Sequence, residues 1–139
     1  MPSEILVVIG AFCLVAALLE AWMMVALSSN PESGLGKWIR CSQDLLKSHI
    51  DFLMMSQFLF VFFLLFKHFQ VPVPAFIILS MGLGSIGNPA LFLIRSTKPT
   101  WKEEPKTGFR ALMGISCLLT TVGYLGGAWI AGRAALAFI

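Results

Sequence analysis

Charged side chains are scarce in this chain. Lys, Arg, Asp and Glu make up only 12% of its 139 residues, whereas a soluble domain carries about 25% charged residues. Hydrophobic residues reach 58% of the sequence, above the roughly 45–50% that is usual in soluble domains. A water-soluble fold of this length cannot bury so much apolar surface. The composition therefore excludes an ordinary soluble domain and predicts an integral membrane protein.

Two further absences narrow the function. The three cysteines, Cys13, Cys41 and Cys117, are odd in number and show no CxxC spacing, so we expect free thiols and no disulfide framework. The motifs GxSxG and HExxH, the P-loop and the dinucleotide fingerprint do not occur, which excludes the soluble enzyme classes that depend on them. Nucleic-acid binding has no support beyond the charge of the loops, so no nucleic acid is expected as a partner.

Long apolar runs dominate what is present. A helix needs about 20 apolar residues to cross the bilayer, and runs of this kind occupy residues 5–27, 49–66, 74–94 and 109–130. Short connections rich in Gly, Pro and Asn separate them. The sequence predicts one all-α domain over residues 1–139, an integral membrane four-helix bundle. The mixed pattern from Lys37 to Ser48 predicts a short interfacial helix that leads straight into the second span.

The basic residues predict how the bundle is oriented. Eight of the ten lie in or beside the first and third loops, and two lie on the opposite side. The eight are Lys37, Arg40, Lys47, Arg95, Lys98, Lys102, Lys106 and Arg110. By the positive-inside rule, we expect both basic loops in the cytoplasm and both termini on the non-cytoplasmic side.

Polar residues inside the spans are the candidate functional residues, since such groups are costly in lipid. They are Glu20, His49, Asp51, Ser56, Gln57, Asn88 and Ser116. Counted along each helix at 1.5 Å per residue, all of them fall in the half of the bundle nearest the basic loops. We expect Glu20, Ser56, Gln57 and Asn88 to line a polar pocket there and to carry its chemistry.

Two of these residues, His49 and Glu20, each have two possible roles. His49 is either a metal ligand or acid–base group, or an interfacial histidine bonded to lipid or loop. The second histidine, His68, is nineteen residues further along, about 28 Å away on one helix, so the two cannot share a metal within one subunit. Glu20 is either a proton carrier or cation site, or a neutral carboxyl paired with a neighbouring helix.

A family resemblance arises at the second span. A Gly/Pro-containing loop with Gly36-Lys37-Trp38-Ile39-Arg40 precedes a histidine and a Met-Met pair in Ser48-His49-Ile50-Asp51-Phe52-Leu53-Met54-Met55. In a four-helix membrane protein of this size, the arrangement resembles the styrene oxide isomerase and hydroxylaminobenzene mutase group. The stretch from Gly84 to Phe92 adds to the likeness.

The resemblance implies a cofactor and a reaction. Styrene oxide isomerase holds haem b between subunits, so His49 would be the axial ligand and the chain a homo-oligomer. The implied reaction is a redox-neutral isomerisation of a small apolar substrate such as an epoxide, with the iron as Lewis acid. Lys37, Arg40 and Lys47 lie one to three turns before His49 if the helix is continuous, where they could pair with haem propionates.

This sequence also departs from that family. The family has an asparagine about two turns after the histidine, where this chain has Ser56 and Gln57. It also has a tyrosine in the third helix, whereas the one tyrosine here, Tyr124, lies in the fourth. Two other functions remain open: a small proton-coupled transporter or exporter that uses Glu20, and a non-catalytic subunit of a membrane complex. A visible spectrum separates the first function from these two.

Overall fold

The computed structural model describes residues 3–137, and every regular element among them is helical. The elements are α1 (Ile5–Ser29), α2 (Gly34–Trp38), α3 (Ser42–His68), α4 (Ala75–Thr97) and α5 (Thr107–Leu136), with a 3₁₀ turn at Pro99–Lys102 before α5. The helices α1, α3, α4 and α5 are each long and apolar enough to cross a membrane. The predicted all-α bundle of four membrane-spanning helices is confirmed.

The start of α3 differs from the prediction. This helix begins at Ser42, seven residues before the predicted boundary at residue 49. The helix predicted to lead straight into the second span is found from Ser42 to Ser48, but its predicted start at Lys37 is wrong, because the backbone is extended at Ile39 and Cys41. The N–H groups of Arg40 and Cys41 both donate to the carbonyl oxygen of Ser96, each over 2.9 Å. Since a continuous helix would use those groups internally, the end of α4 accounts for the break.

The four long helices pack in chain order. Helix α1 lies against α3, α3 against α4, and α4 against α5, while α4 also touches α1. The buried positions of α1 recur at alternating steps of four and three, which is the spacing of a coiled-coil seam. They are Leu6, Gly10, Cys13, Ala17 and Glu20. Each helix therefore buries a narrow stripe, and large apolar residues such as Trp22, 72% exposed, are left for lipid.

Glycines bring α4 and α5 into backbone contact. A Cβ atom on Gly123 would lie 2.5 Å from the backbone nitrogen of Met81, and one on Gly84 would lie 2.6 Å from that of Thr120. Small residues permit this close approach in membrane helices. The close approach at Gly123 fixes α5 against the helix that carries Asn88.

Pro89 shapes the middle of α4. Proline has no N–H, so the carbonyl of Ser85, four residues earlier, loses its helical donor. The buried thiol of Cys13 lies 3.8 Å from that carbonyl oxygen and donates to it. The carbonyl of Pro89 itself meets a side chain of α3, described below. Irregular backbone inside the bundle thus bonds to α1 and α3 rather than to lipid.

Candidate functional site

The polar residues of the spans form two groups on different sides of α3. Residues two apart on a helix point about 160° away from each other. His49 therefore faces α1, while Asp51 faces α4 on the side towards α5. The single convergent pocket expected from the sequence is divided by α3 into a group at α1 and a group at α5.

The first group joins three helices through one hydroxyl. Ser48 Oγ of α3 lies 2.6 Å from Glu20 Oε1 of α1 and 2.8 Å from the carbonyl oxygen of Pro89 of α4. Glu20 is only 3% exposed and Ser48 is fully buried. The other carboxyl oxygen, Glu20 Oε2, is buried and has no hydrogen-bond partner among the described residues. A carboxyl group thus lies at the centre of the α1–α3–α4 junction.

His49 follows Ser48 and is also held against α1. Its Nδ1 lies 2.8 Å from the carbonyl oxygen of Ala17. A carbonyl oxygen only accepts, so Nδ1 carries the hydrogen and donates it. The ring is half-buried, and no bond to Nε2 is found within residues 3–137. In the neutral ring, Nε2 then presents a lone pair.

The second group lies between α3, α4 and α5. Asn88 Nδ2 donates to Asp51 Oδ2 over 3.2 Å, and the thiol of Cys117 lies 3.8 Å from Asn88 Oδ1. Asp51 and Asn88 are half-buried, and Cys117 is exposed on α5. Asn88 is therefore oriented by α3 and α5, and it does not meet His49.

The remaining predicted polar residues differ in orientation. Ser56 is buried at 1% exposure, so it faces the bundle interior as Glu20 does. Gln57, the next residue of α3, lies instead on the exposed outer face of that helix and lines no interior pocket. The physical reason is that adjacent helical residues point about 100° apart. Ser116 is buried at the contact with Gly87, and its Oγ has no bond to any described residue.

A groove of about 530 Å³ opens at the basic end of α1 and α3. Its walls include the apolar residues Met24, Leu27, Ile39 and Leu46, and Arg40 lies on its lining. Leu46 is one turn before His49 on the same face of α3. The groove has the size of a small-molecule site and lies next to His49 without including it.

Only one of the three predicted propionate partners lines this groove. Arg40 does so, and its Nε donates to the carbonyl oxygen of Lys37 over 3.4 Å. Lys37 and Lys47 are exposed and are not among the lining residues. The break at residues 39–41 separates Lys37 and Arg40 from the helix that carries His49. Lys47 is two residues before His49 on α3, so it points about 160° away from it.

Sequence reasoning missed a buried ion pair beside the groove. Arg95 Nε and Nη2 donate to Asp44 Oδ2 and Oδ1 over 2.9 and 2.7 Å. Asp44 is 1% exposed. One signal was available: Asp44, Ser48 and Phe52 share four-residue spacing, which places them on one helix face. The pair fixes the start of α3, which carries groove residues such as Leu46, to the end of α4.

His49 is a candidate metal ligand that stands alone rather than in a cluster of ligating side chains. Within residues 3–137, His, Cys, Asp and Glu side chains form no group of three or more that could hold a metal ion. No protein-family model matches the chain, and no curated protein or solved structure matches it. The two polar groups and the groove are therefore the features that bear on function.

Proposed function

We propose that this protein is a membrane isomerase that holds a b-type haem through His49. The observation that carries the proposal is the bond between His49 Nδ1 and the carbonyl oxygen of Ala17, 2.8 Å long. Histidines that bind metals usually donate their second ring nitrogen to a carbonyl or carboxylate, which fixes the tautomer and the ring orientation. Ala17 supplies this partner, which the sequence does not identify, and Nε2 remains free to bind iron.

The surroundings of His49 fit the edge of a porphyrin. Leu46 and Ile50, one turn before and one residue after it, are 46% and 45% exposed, so the outer face of α3 offers apolar surface there. The groove continues from Leu46 towards the basic loops and reaches Arg40. A guanidinium is well suited to a carboxylate such as a haem propionate. Arg40 is therefore the residue we assign to that contact, in preference to Lys37 and Lys47.

This placement also favours a homo-oligomer. His49 is a lone ligand on the outer side of the α1–α3 pair, and its ring is half-buried. A cofactor bound there by one subunit keeps its opposite face uncovered. A second copy of the chain, in the same membrane plane, would cover that face and exclude lipid. We propose a homo-oligomer with the cofactor between subunits, on the basis of the resemblance to styrene oxide isomerase.

The proposed reaction is the redox-neutral isomerisation of a small apolar substrate, with an epoxide as the model case. Bound ferric iron would supply a Lewis acid for the epoxide oxygen. The protein residues orient the ring of His49 and provide an apolar surface that a substrate dissolved in the bilayer reaches directly. Asn88 lies on the other side of α3, towards α5. Gln57 is on the same exposed face as Leu46 and Ile50, but it is two turns, about 12 Å, further along the helix than His49. We therefore assign neither residue a part in the reaction.

The alternative function, a proton-coupled transporter, requires Glu20 to release and regain a proton. Glu20 is buried at a junction of three helices and bonded through Ser48. These contacts favour a fixed position for Glu20 over the release and uptake of a proton. A non-catalytic subunit remains the outcome if neither a cofactor nor proton transport is found.

A spectrum of detergent-purified protein tests the proposal. Protein from haem-sufficient cells should show a Soret band, and His49→Ala should abolish it while the protein still inserts in the membrane. His68→Ala is the matched control, because His68 is exposed at the far end of the same helix. Colourless wild-type protein that also fails to take up added haemin would overturn the proposal, as would an unchanged spectrum in His49→Ala.

A further inference from the structure

We propose that Glu20 is held as a neutral carboxylic acid whose bond to Ser48 positions His49. Glu20 is thus a positioning residue rather than a proton carrier. The proposal rests on the proposed function only for what His49 binds, since the protonation and positioning of Glu20 follow from the junction itself.

The hydroxyl of Ser48 has one hydrogen and two neighbours. The carbonyl oxygen of Pro89, 2.8 Å away, only accepts hydrogen bonds. Two oxygens this close need a hydrogen between them. Ser48 supplies its only hydrogen to the contact with Pro89, so its oxygen must accept from Glu20 Oε1, 2.6 Å away. Glu20 can donate only if it carries a proton. A carboxylate would instead take the hydrogen of Ser48 and leave the carbonyl of Pro89 without it.

The charges around the junction agree with a neutral acid. Among the described side chains two ion pairs are found, Arg95 with Asp44 and Lys67 with Glu4, and neither includes Glu20. His49 is the titratable group that faces Glu20 from α3, and its Nδ1–H is directed at the carbonyl of Ala17 rather than at the carboxyl group. A buried carboxylate without a cation is strongly disfavoured. Glu20 Oε2 also lacks any partner in the described part of the chain. One unpaired carbonyl-type oxygen of a neutral acid costs far less than an unpaired charged group.

The positioning role follows from two adjacent contacts. Ala17 and Glu20 lie one turn apart on α1, and they contact His49 and Ser48, which are consecutive on α3. The bond from Glu20 to Ser48 therefore fixes the register in which the carbonyl of Ala17 meets His49 Nδ1. The buried stripe of α1 contains three small residues, Gly10, Cys13 and Ala17. Small residues let α1 approach α3 closely enough for the Glu20–Ser48 and Ala17–His49 bonds to form.

Infrared spectroscopy tests the protonation. The difference between wild type and Glu20→Gln should show the carbonyl stretch of one protonated carboxylic acid and no carboxylate bands. The amide of Gln keeps a donor for Ser48, so this variant should fold and stay as stable as wild type. Loss of carboxylate bands in the difference spectrum, without a protonated-acid band, would overturn the neutral-acid assignment.

Nuclear magnetic resonance tests the positioning, because the chain has only two histidines. In a His68→Ala background, ¹⁵N-labelled imidazole reports His49 alone. The ring should be wholly the Nδ1–H tautomer, both in that background and with Glu20→Gln added. With Glu20→Ala, the Nδ1–H tautomer should fall to a mixture of tautomers. Ser48→Ala removes little volume and should also convert the Nδ1–H tautomer to a mixture of tautomers. It replaces Glu20→Ala as the test if that variant does not fold.

The outcomes separate this inference from the proposed function. An unchanged Nδ1–H tautomer in Glu20→Ala or Ser48→Ala would overturn the positioning role, whatever the Soret band shows. If instead the tautomer changes as expected but His49→Ala leaves the visible spectrum unaffected, the junction is as argued here and the haem proposal fails.

Discussion

Arg95 and Asp44 form a two-bonded ion pair across 51 residues of sequence, with 2.9 and 2.7 Å between donor and acceptor atoms. Arg95 is in the last turn of α4 and Asp44 is in the first turn of α3. The next residue, Ser96, accepts the N–H groups of Arg40 and Cys41. The end of α4 therefore holds the start of α3 and one wall of the groove in place.

Replacing Asp44 should destabilise the protein strongly. Asp44→Ala leaves a largely buried guanidinium without its carboxylate, and breaking such a pair costs about 3–5 kcal/mol. The free energy of unfolding in detergent, measured by denaturant titration, checks this. Glu4→Gln is the matched control, because Glu4 and Lys67 form an exposed pair over 3.5 Å, and exposed pairs contribute little. Equal stability of the two variants would contradict the account.

Much of the fold is predictable from local sequence. Apolar length alone predicts four spans, and four such helices occur in the described part of the chain. The start of α3 is not predictable in this way. Its first turns contain Asp44 and Lys47, so the mixed pattern predicts an interfacial helix, whereas the distant Arg95 makes burial of Asp44 favourable. The four-residue spacing of Asp44, Ser48 and Phe52 indicates a shared helix face, but no periodicity identifies a partner 51 residues away.

The arrangement of the candidate site is likewise only partly predictable from the sequence. Depth along each helix is set by residue count, so the sequence places Glu20 and Asn88 at similar depth and His49 nearer the mouth of the same half of the bundle. The direction of each side chain depends on which neighbour its helix packs against. His49 faces α1 and Asn88 faces α3 and α5, so their place in the same half did not bring them together. The carbonyl partner of His49, on Ala17, is a backbone group and has no sequence signal at all.

The contact between α4 and α5 should be sensitive to one methyl group. A Cβ on Gly123 would lie 2.5 Å from the backbone nitrogen of Met81, so Gly123→Ala must push the helices apart. Overpacking of this kind costs about 1–3 kcal/mol. Gly114→Ala on the same helix is the control, because nothing lies within 4 Å of its Cβ position. Thermal unfolding in detergent should show a lower midpoint for Gly123→Ala only.

Labelling of single cysteines tests the membrane orientation that the basic loops predict. In a cysteine-free background, single cysteines at Ser33 and Thr100 should react with an impermeant maleimide only after the membrane is opened, if both loops are cytoplasmic. A cysteine at Ser3 should react in intact cells. Labels at Ser33 and Thr100 on different sides would contradict the four-span topology. A wholly inverted pattern would contradict only the orientation.

The isomerase proposal makes a prediction that haem binding alone does not. Haem-loaded protein in detergent should convert an aryl epoxide to a carbonyl compound of identical mass, with no nicotinamide or other redox partner added, because isomerisation neither gains nor loses electrons. Product formation is followed by gas chromatography.

His49→Ala should lose this activity to the level of free haemin, since the ring of His49 holds the cofactor against α3. His68→Ala should retain it, because His68 lies at the opposite end of the helix. The comparison is informative only with equal haem loading of wild type and His68→Ala, read from their Soret bands. A haem-bound wild type that leaves a panel of small apolar epoxides unchanged would exclude the proposed reaction. It would leave His49 as the ligand of a haem protein with another substrate.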